Sequence, residues 1–247
     1  MGKPELKYRR VLLKISGEGF CSTNGFGIEA EPVRQLAGEL KETAQLGLEL
    51  AVVCGGGNFL RGETLTKELE IPRASADYMG MLATVMNAVA LQECLEAMGQ
   101  PTRVMSAIAV KEVSEPFIHR RAVRHLEKGR IVILAGGTGN PFFSTDTCAA
   151  LRASELHAEA VLKATKVEGV YSADPEVDSQ AELYEKLDFH EVLSKDLKVM
   201  DHAAISLCRM NNIPIIVFNV YKSGNIGRVV QGEKVGTTIG DYGDEPR

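Results

Sequence analysis

The strongest constraint on the fold comes from residues 131–146, IVILAGGTGNPFFSTD, where an apolar run of strand length meets a glycine-rich turn and then helix-start chemistry. Ile131-Val132-Ile133-Leu134-Ala135 has no polar position on either face of an extended chain, so it suits a strand buried on both sides, as in parallel sheets covered by helices. The glycines let backbone approach a ligand, and Ser144, Thr145 and Asp146 are residue types that open helices. A strand end, a turn and a helix N-terminus form an anion site, because unpaired N–H groups and the positive end of the helix dipole point the same way. Phosphate is the first ligand this stretch suggests.

The same grammar recurs along the chain. Val11-Leu12-Leu13-Lys14-Ile15 reads as a strand ending in Ser16-Gly17-Glu18-Gly19. Ligands of open α/β sheets bind beyond the carboxyl ends of the strands, so Lys14 is either a phosphate contact or an edge lysine reaching solvent. A helix with Pro32 near its start and Gly47 at its end should follow, then a second strand over 48–54 and the triplet Gly55-Gly56-Gly57. Strand, helix, strand is the parallel unit. Arg61, just beyond the triplet, is either a clamp for phosphoryl oxygens or a solvated arginine. Neither standard phosphate loop is present: Glu63 stands where G-x-x-x-x-G-K needs lysine, and no G-x-G-x-x-G follows a strand.

Asp77 opens a helix over 78–98, either as an ordinary N-cap or as a ligand contact, and the helix's methionines read as core filling. Strands are expected at 102–107, 160–165, 213–219 and 237–239, and helices at 116–126, 145–156, 189–193, 200–211 and after Gly224. The strand over 160–165 carries Lys163 and Thr165 at its end, repeating the arrangement at Lys14. Tyr171 and Asp174 beyond it offer a ring for a base and a carboxylate for a ribose, or Asp174-Pro175 is a plain turn. With no linker, low-complexity segment or internal repeat, residues 1–247 read as one domain.

A net charge of -5 gives no global basic footprint, and the basic run His119, Arg120, Arg121, Arg124 and His125 reads as a solvated helix face, so no nucleic-acid partner is expected. The histidines lack metal-ligand spacing, and no structural metal is expected. The five cysteines are odd in number and widely separated, which suits free thiols in a reducing, cytoplasmic setting, and no apolar run approaches membrane-spanning length.

Two lysines, one arginine and three glycine-bearing strand ends along one sheet edge describe a site for more than one phosphate group, and phosphoryl transfer is the reaction class they suggest. Such transfer needs positioning and charge neutralisation more than a nucleophile, and no G-x-S-x-G or cysteine–histidine pairing competes.

Together, Lys14-Ile15-Ser16-Gly17, Gly55-Gly56-Gly57-Asn58 with Arg61, Asp77 before MGMLAT, the stretch from Thr138 to Asp146, and Lys163 to Pro175 resemble the bacterial uridylate kinases of the amino acid kinase superfamily. The TGNPFFSTD stretch is the block that points to the uridylate branch. The resemblance implies a three-layer αβα sandwich around a mainly parallel sheet, with an N-terminal half mainly binding UMP and a C-terminal half mainly binding ATP. It implies UMP contacts from Gly56, Asp77, Thr138, Gly139, Asn140, Pro141, Phe142, Phe143, Ser144 and Thr145. Contacts to ATP fall to Lys14, Ile15, Ser16, Gly17, Gly57, Arg61, Thr165, Tyr171 and Asp174, and a catalytic group is formed by Lys14, Arg61, Asp146 and Lys163. Also implied are Mg²⁺ carried with ATP, a homohexamer, activation by GTP and inhibition by UTP. The GTP effect is linked to Ser22, Thr23, Asn24, Gly25, Phe26 and Gly27, where Asn24 replaces a more usual acidic residue. A sister kinase acting on a carboxylate or carbamate, and a regulator that binds nucleotide without turnover, are the alternatives.

Overall fold

Strand and helix alternate from the first described element onward, and the alternation follows the side-chain pattern. The computed structural model describes residues 5–60, 70–175, 177–178 and 180–242. Strand β1 (Arg10–Ile15) leads into a 3-10 turn (Gly17–Phe20), helix α1 (Ala30–Gln45) and strand β2 (Glu49–Cys54). After helix α2 (Arg73–Ala97) come β3 (Thr102–Ser106), the short β4 (Glu115–Pro116), α3 (His119–Glu127) and β5 (Ile131–Ala135). The rest is α4 (Thr145–Leu156), β6 (Ala160–Thr165), β7 (Lys186–Asp188), α5 (Phe189–Ser194), α6 (His202–Met210), β8 (Ile215–Asn219), α7 (Asn225–Val230) and β9 (Thr237–Gly240).

Among the described residues the strands form one nine-stranded sheet in the order β4-β3-β5-β2-β1-β6-β8-β9-β7, parallel except for the β8–β9 pair. Its central strands are apolar on both faces, and each face is covered by helices. One core packs Leu13, Val52, Ile133 and Leu162 against α1, α2 and α7. The other packs Leu12, Val53, Leu134 and Val161 against α3, α4, α5 and α6. This is the expected αβα sandwich.

Three details depart from the sequence reading. Helix α2 begins at Arg73 behind Pro72, so Asp77 lies inside it and is not its N-cap. The run from 116 divides into the edge strand β4 and a helix starting at His119. Strand β7 at the far edge, three residues long, is not among the expected strands.

Candidate active site

Lys14 and Lys163 are register partners on the adjacent parallel strands β1 and β6, so their side chains leave the same face of the sheet. That face is covered by α4, whose first turn supplies Asp146 between them. Lys163 Nζ donates to Asp146 Oδ2 at 2.8 Å, and Lys14 Nζ lies 2.8 Å from Oδ1. The side chains of Lys14 and Lys163 are each 13% exposed and that of Asp146 15%, so water screens the cluster poorly. Burial alone would raise the Asp146 carboxyl, but the two ammonium groups outweigh it and hold the carboxyl below its ordinary value. For Lys163 burial wins: with Lys14 also beside it, its ammonium titrates below the ordinary lysine value despite the pull of Asp146 and Asp201. Two cations and one anion leave the cluster net positive, facing the carboxyl ends of the strands.

Ser144 is the N-cap of α4 and accepts the Thr147 N–H at 3.0 Å. Its hydroxyl also donates to Asp201 Oδ2, while the Thr147 hydroxyl lies 2.9 Å from Asp201 Oδ1. Asp201 in turn caps α6 by accepting the Ala204 N–H at 2.9 Å. One carboxylate thus ties two helix starts together. Val199, just before it, offers its carbonyl to Lys163 Nζ. Neither contact was foreseen: the helix was expected from Met200 with no role for Asp201, although an aspartate before an apolar-periodic run is a cap signal.

A cavity of about 290 Å³ opens beside this cluster, lined by Gly56, Gly57, Arg73, Asp77, Thr84, Phe143, Ser144 and Thr145 among others. Gly56 is required there: a Cβ would come within 2.7 Å of the Gly80 carbonyl oxygen and 2.9 Å of Ala83 Cβ, so only glycine lets α2 cross the end of β2 this closely. Asp77 uses both oxygens, accepting Arg73 Nε at 2.8 Å and the Phe142 N–H at 2.8 Å. It therefore ties the central turn to α2. Thr84 reaches the same turn, accepting the Gly136 N–H at 2.8 Å.

Of the residues expected around UMP, Gly56, Asp77, Phe143, Ser144 and Thr145 meet at this cavity, and Gly57 from the expected ATP set joins them. Thr138, Gly139, Asn140, Pro141 and Phe142 form the turn above it, where the Thr138 hydroxyl accepts the Asn140 N–H at 3.1 Å. Lys14, Ile15, Ser16 and Gly17 run along the end of β1. At the end of β6 the Thr165 hydroxyl lies 2.7 Å from the Val167 carbonyl oxygen, turned to backbone, and Tyr171 bridges to Leu183. Asp174 is exposed in the turn beyond. Arg61 lies outside the described residues. Arg73 and Thr84 were missed, as were Asn58 and Asn87, whose buried amides exchange hydrogen bonds of 2.9 and 2.8 Å beneath the glycine triplet.

Among the described residues no three His, Cys, Asp or Glu side chains group as a metal site. The best-placed carboxylate, Asp146, is occupied by two ammonium groups. No helix of the described residues is long and apolar enough to cross a membrane.

Comparison with known proteins agrees with this geometry. Residues 9–219 match the model of the amino acid kinase family. The chain is 54% identical over 238 residues to the chloroplastic uridylate kinase PUMPKIN of Arabidopsis thaliana, covering 96% of this chain and 70% of that protein. It superposes on a UMP kinase from Bacillus anthracis with a TM-score of 0.93 at 39% identity, covering 96% of this chain and 97% of the other. A UMP kinase from Ureaplasma parvum gives 0.89 at 34% identity, covering 96% and 100%. The chain belongs to the amino acid kinase family, and its similarity places it among the uridylate kinases of that family.

Proposed function

We propose that the chain transfers the terminal phosphoryl group of ATP to UMP, giving ADP and UDP, a step of pyrimidine nucleotide synthesis. The observation that carries this reading is an adjacency. Thr145 lines the acceptor cavity, and the next residue, Asp146, holds Lys14 and Lys163. A monophosphate seated over Gly56 and the start of α4 lies against the helix N-terminus, with the lysine pair between it and the donor.

A phosphate monoester has its second pKa near about 6, so the acceptor is largely a dianion at neutral pH and no general base is required. One acceptor oxygen forms the new bond to the γ-phosphorus while the bond from that phosphorus to the β,γ-bridging oxygen breaks, and ADP leaves with the electron pair. The obstacle is repulsion between polyanions. Lys14 and Lys163 offset it at fixed positions, because Asp146 holds both ammonium groups before substrate arrives. Mg²⁺ arriving with the nucleotide would supply further neutralisation of the phosphates. Asp77 orients the ribose side of UMP and keeps the Phe142 turn closed over the cavity.

Three further features belong to this reading. The described sheet is continuous from β4 to β7, which supports treating the chain as one domain with UMP toward its N-terminal half and ATP toward its C-terminal half. Assembly as a hexamer draws support from the outer stripe of α2, where Tyr78, Leu82 and Met86 are each about half exposed. GTP activation and UTP inhibition are carried over from the resemblance. Of residues 22–27, Ser22, Asn24, Gly25 and Phe26 border a second cavity, of about 440 Å³, with Phe26 set edge-on against Phe59 at 5.9 Å. The five free cysteines support a reducing compartment such as the cytoplasm.

Measuring ADP formation from Mg-ATP with UMP, CMP, AMP, aspartate, glutamate and carbamate tests the reading. UMP should be strongly preferred. Turnover confined to a carboxylate or carbamate would overturn it.

A further inference from the structure

A carboxylate is out of place in a turn that faces phosphate, and Glu18 is such a group. It lies in the 3-10 turn directly after Ser16-Gly17, where the backbone of β1 ends beside the glycine triplet, and the Ser16 hydroxyl accepts its N–H at 3.4 Å. Its side chain holds Lys166, Nζ to Oε2 2.9 Å, across the ends of β1 and β6. The two strands that present Lys14 and Lys163 thus present a second pair of charges one step further out: Glu18 four residues after Lys14, and Lys166 three residues after Lys163. The outer pair is open to water, with Lys166 half exposed and Glu18 36% exposed. An exposed pair of this kind contributes little to stability, about 0–1 kcal/mol.

Two observations link the pair to a ligand. Glu18, Lys166 and Gly57 line the same cavity of about 440 Å³. A Cβ built on Gly57 would meet, among the described residues beyond its chain neighbours, no atom within 4 Å, so the backbone there is open on the side they form. An open glycine backbone and a mobile ammonium on one cavity wall are suited to a chain of phosphates. The inner cluster also leaves charge to be matched, since Lys14, Lys163 and Asp146 together carry one net positive charge toward two polyanions.

We infer that Lys166 is a contact for the terminal phosphates of the donor nucleotide, and that Glu18 is its resting counter-ion, displaced when the donor binds. Phosphate oxygens replace the carboxylate around the ammonium, and Glu18, 36% exposed, swings away from it. The exchange keeps the empty site from presenting an unpaired Lys166 beside the inner cluster, which already carries one net positive charge. At rest Glu18, through its hydrogen bond, holds the Lys166 ammonium above the ordinary lysine value, so the group is charged when the donor arrives. The residue matched to no role by the sequence pattern becomes a discriminator between nucleotides with and without terminal phosphates.

The inference rests on the ATP–UMP reading, and its test separates the two. Binding of ATP, ADP and AMP with Mg²⁺ is measured by calorimetry on the wild-type chain, K166Q and E18Q, together with UDP formation and the KM for UMP. K166Q should weaken ATP about tenfold, ADP less and AMP by less than about twofold, with the UMP KM unchanged. E18Q should tighten ATP about threefold, because Lys166 no longer has to leave a partner. ATP affinity unchanged in K166Q, or ATP and AMP weakened alike, would overturn the assignment. Equal loss in E18Q and K166Q, with a matching fall in Tm, would show that the pair only holds the two strand ends together. A wild-type chain that forms no UDP and binds no ATP removes the underlying reading as well, whereas one that forms UDP while K166Q keeps its ATP affinity removes only the role of Lys166.

Discussion

Replacing Asp146 by asparagine removes the charge at the centre of the site while keeping its shape. In the native cluster one carboxylate, 15% exposed, sits 2.8 Å from each of two lysines. Removing one partner of a buried pair costs about 3–5 kcal/mol, because the charge left behind stays desolvated. The asparagine oxygen still accepts one lysine N–H, which returns about 1 kcal/mol, so a net loss of about 2–4 kcal/mol is expected for D146N. In a chain of this size that is a fall in Tm of about 5–15 °C. The pH dependence carries a sharper signature. Asp146 titrates below its ordinary value in the folded chain, so its stabilisation is full above the unfolded carboxylate pKa and is lost as pH falls through the folded one. D146N should lack that acid-side loss.

Lys163 works in the opposite range, since its folded value lies below 10.5. Stability then rises with pH between the folded value and the unfolded one, as the unfolded chain binds more protons there. Without Asp146 the folded value falls further and this window should open at lower pH. UDP formation should drop about 10²–10³-fold in kcat, as when one fixed electrostatic group is removed from a transition state. Thermal melts across pH, with kcat at each pH, provide the check. A D146N chain with wild-type Tm, an intact acid limb and wild-type kcat would refute the account of the cluster.

Other positions yield separate expectations. D77N should raise the KM for UMP about tenfold with kcat little changed, since the charge that holds Arg73 and the Phe142 turn is lost; steady-state kinetics with UMP varied would show it, and an unchanged KM would leave Asp77 only a loop tie. G56A places a methyl group within 2.7 Å of the Gly80 carbonyl oxygen. It should destabilise by about 1–3 kcal/mol in denaturant titration and weaken UMP binding together with stability. Burial pushes the thiols of Cys54 and Cys208 up to about 12 and that of Cys148 up to about 11. In the native chain at pH 8 these three should resist dithionitrobenzoate, and fast labelling of any of them before unfolding would contradict their packing.

Much of the fold was legible because its signals are local. Helix α4 and strand β6 fall where the sequence placed them, at Thr145–Leu156 and Ala160–Thr165, since a serine cap opens the first and the apolar start Ala160-Val161-Leu162 marks the second. Helix α2 was mis-started because Pro72 precedes it without any side-chain cap, so Asp77 offered the only conventional opening signal nearby. Strands β4 and β7 are too short to show a period. The candidate site was legible as a set of residues and not as a set of contacts. The Asn58–Asn87 pairing and the hold of Asp201 on Ser144 and Thr147 depend on which helix end meets which strand end, and nothing local encodes that meeting.

The lysine pair shows what the topology adds. In the sequence, Lys14 and Lys163 were two separate lysines near strand ends, the first open to a plain solvent reading. Once β1 and β6 are neighbours in a parallel sheet, the two become register partners on one face under a helix. Two ammonium groups held side by side away from water are unfavourable by several kcal/mol unless an anion stands between them, by a rough reckoning from the charge-burial cost. The covering helix therefore has to supply a carboxylate in the turn nearest that point, and its first turn supplies Asp146. The requirement applies to the substrate-free chain, so the positions of the cations are fixed before any phosphate enters. That prior fixing is the condition under which fixed charges lower a barrier and do not merely tighten binding.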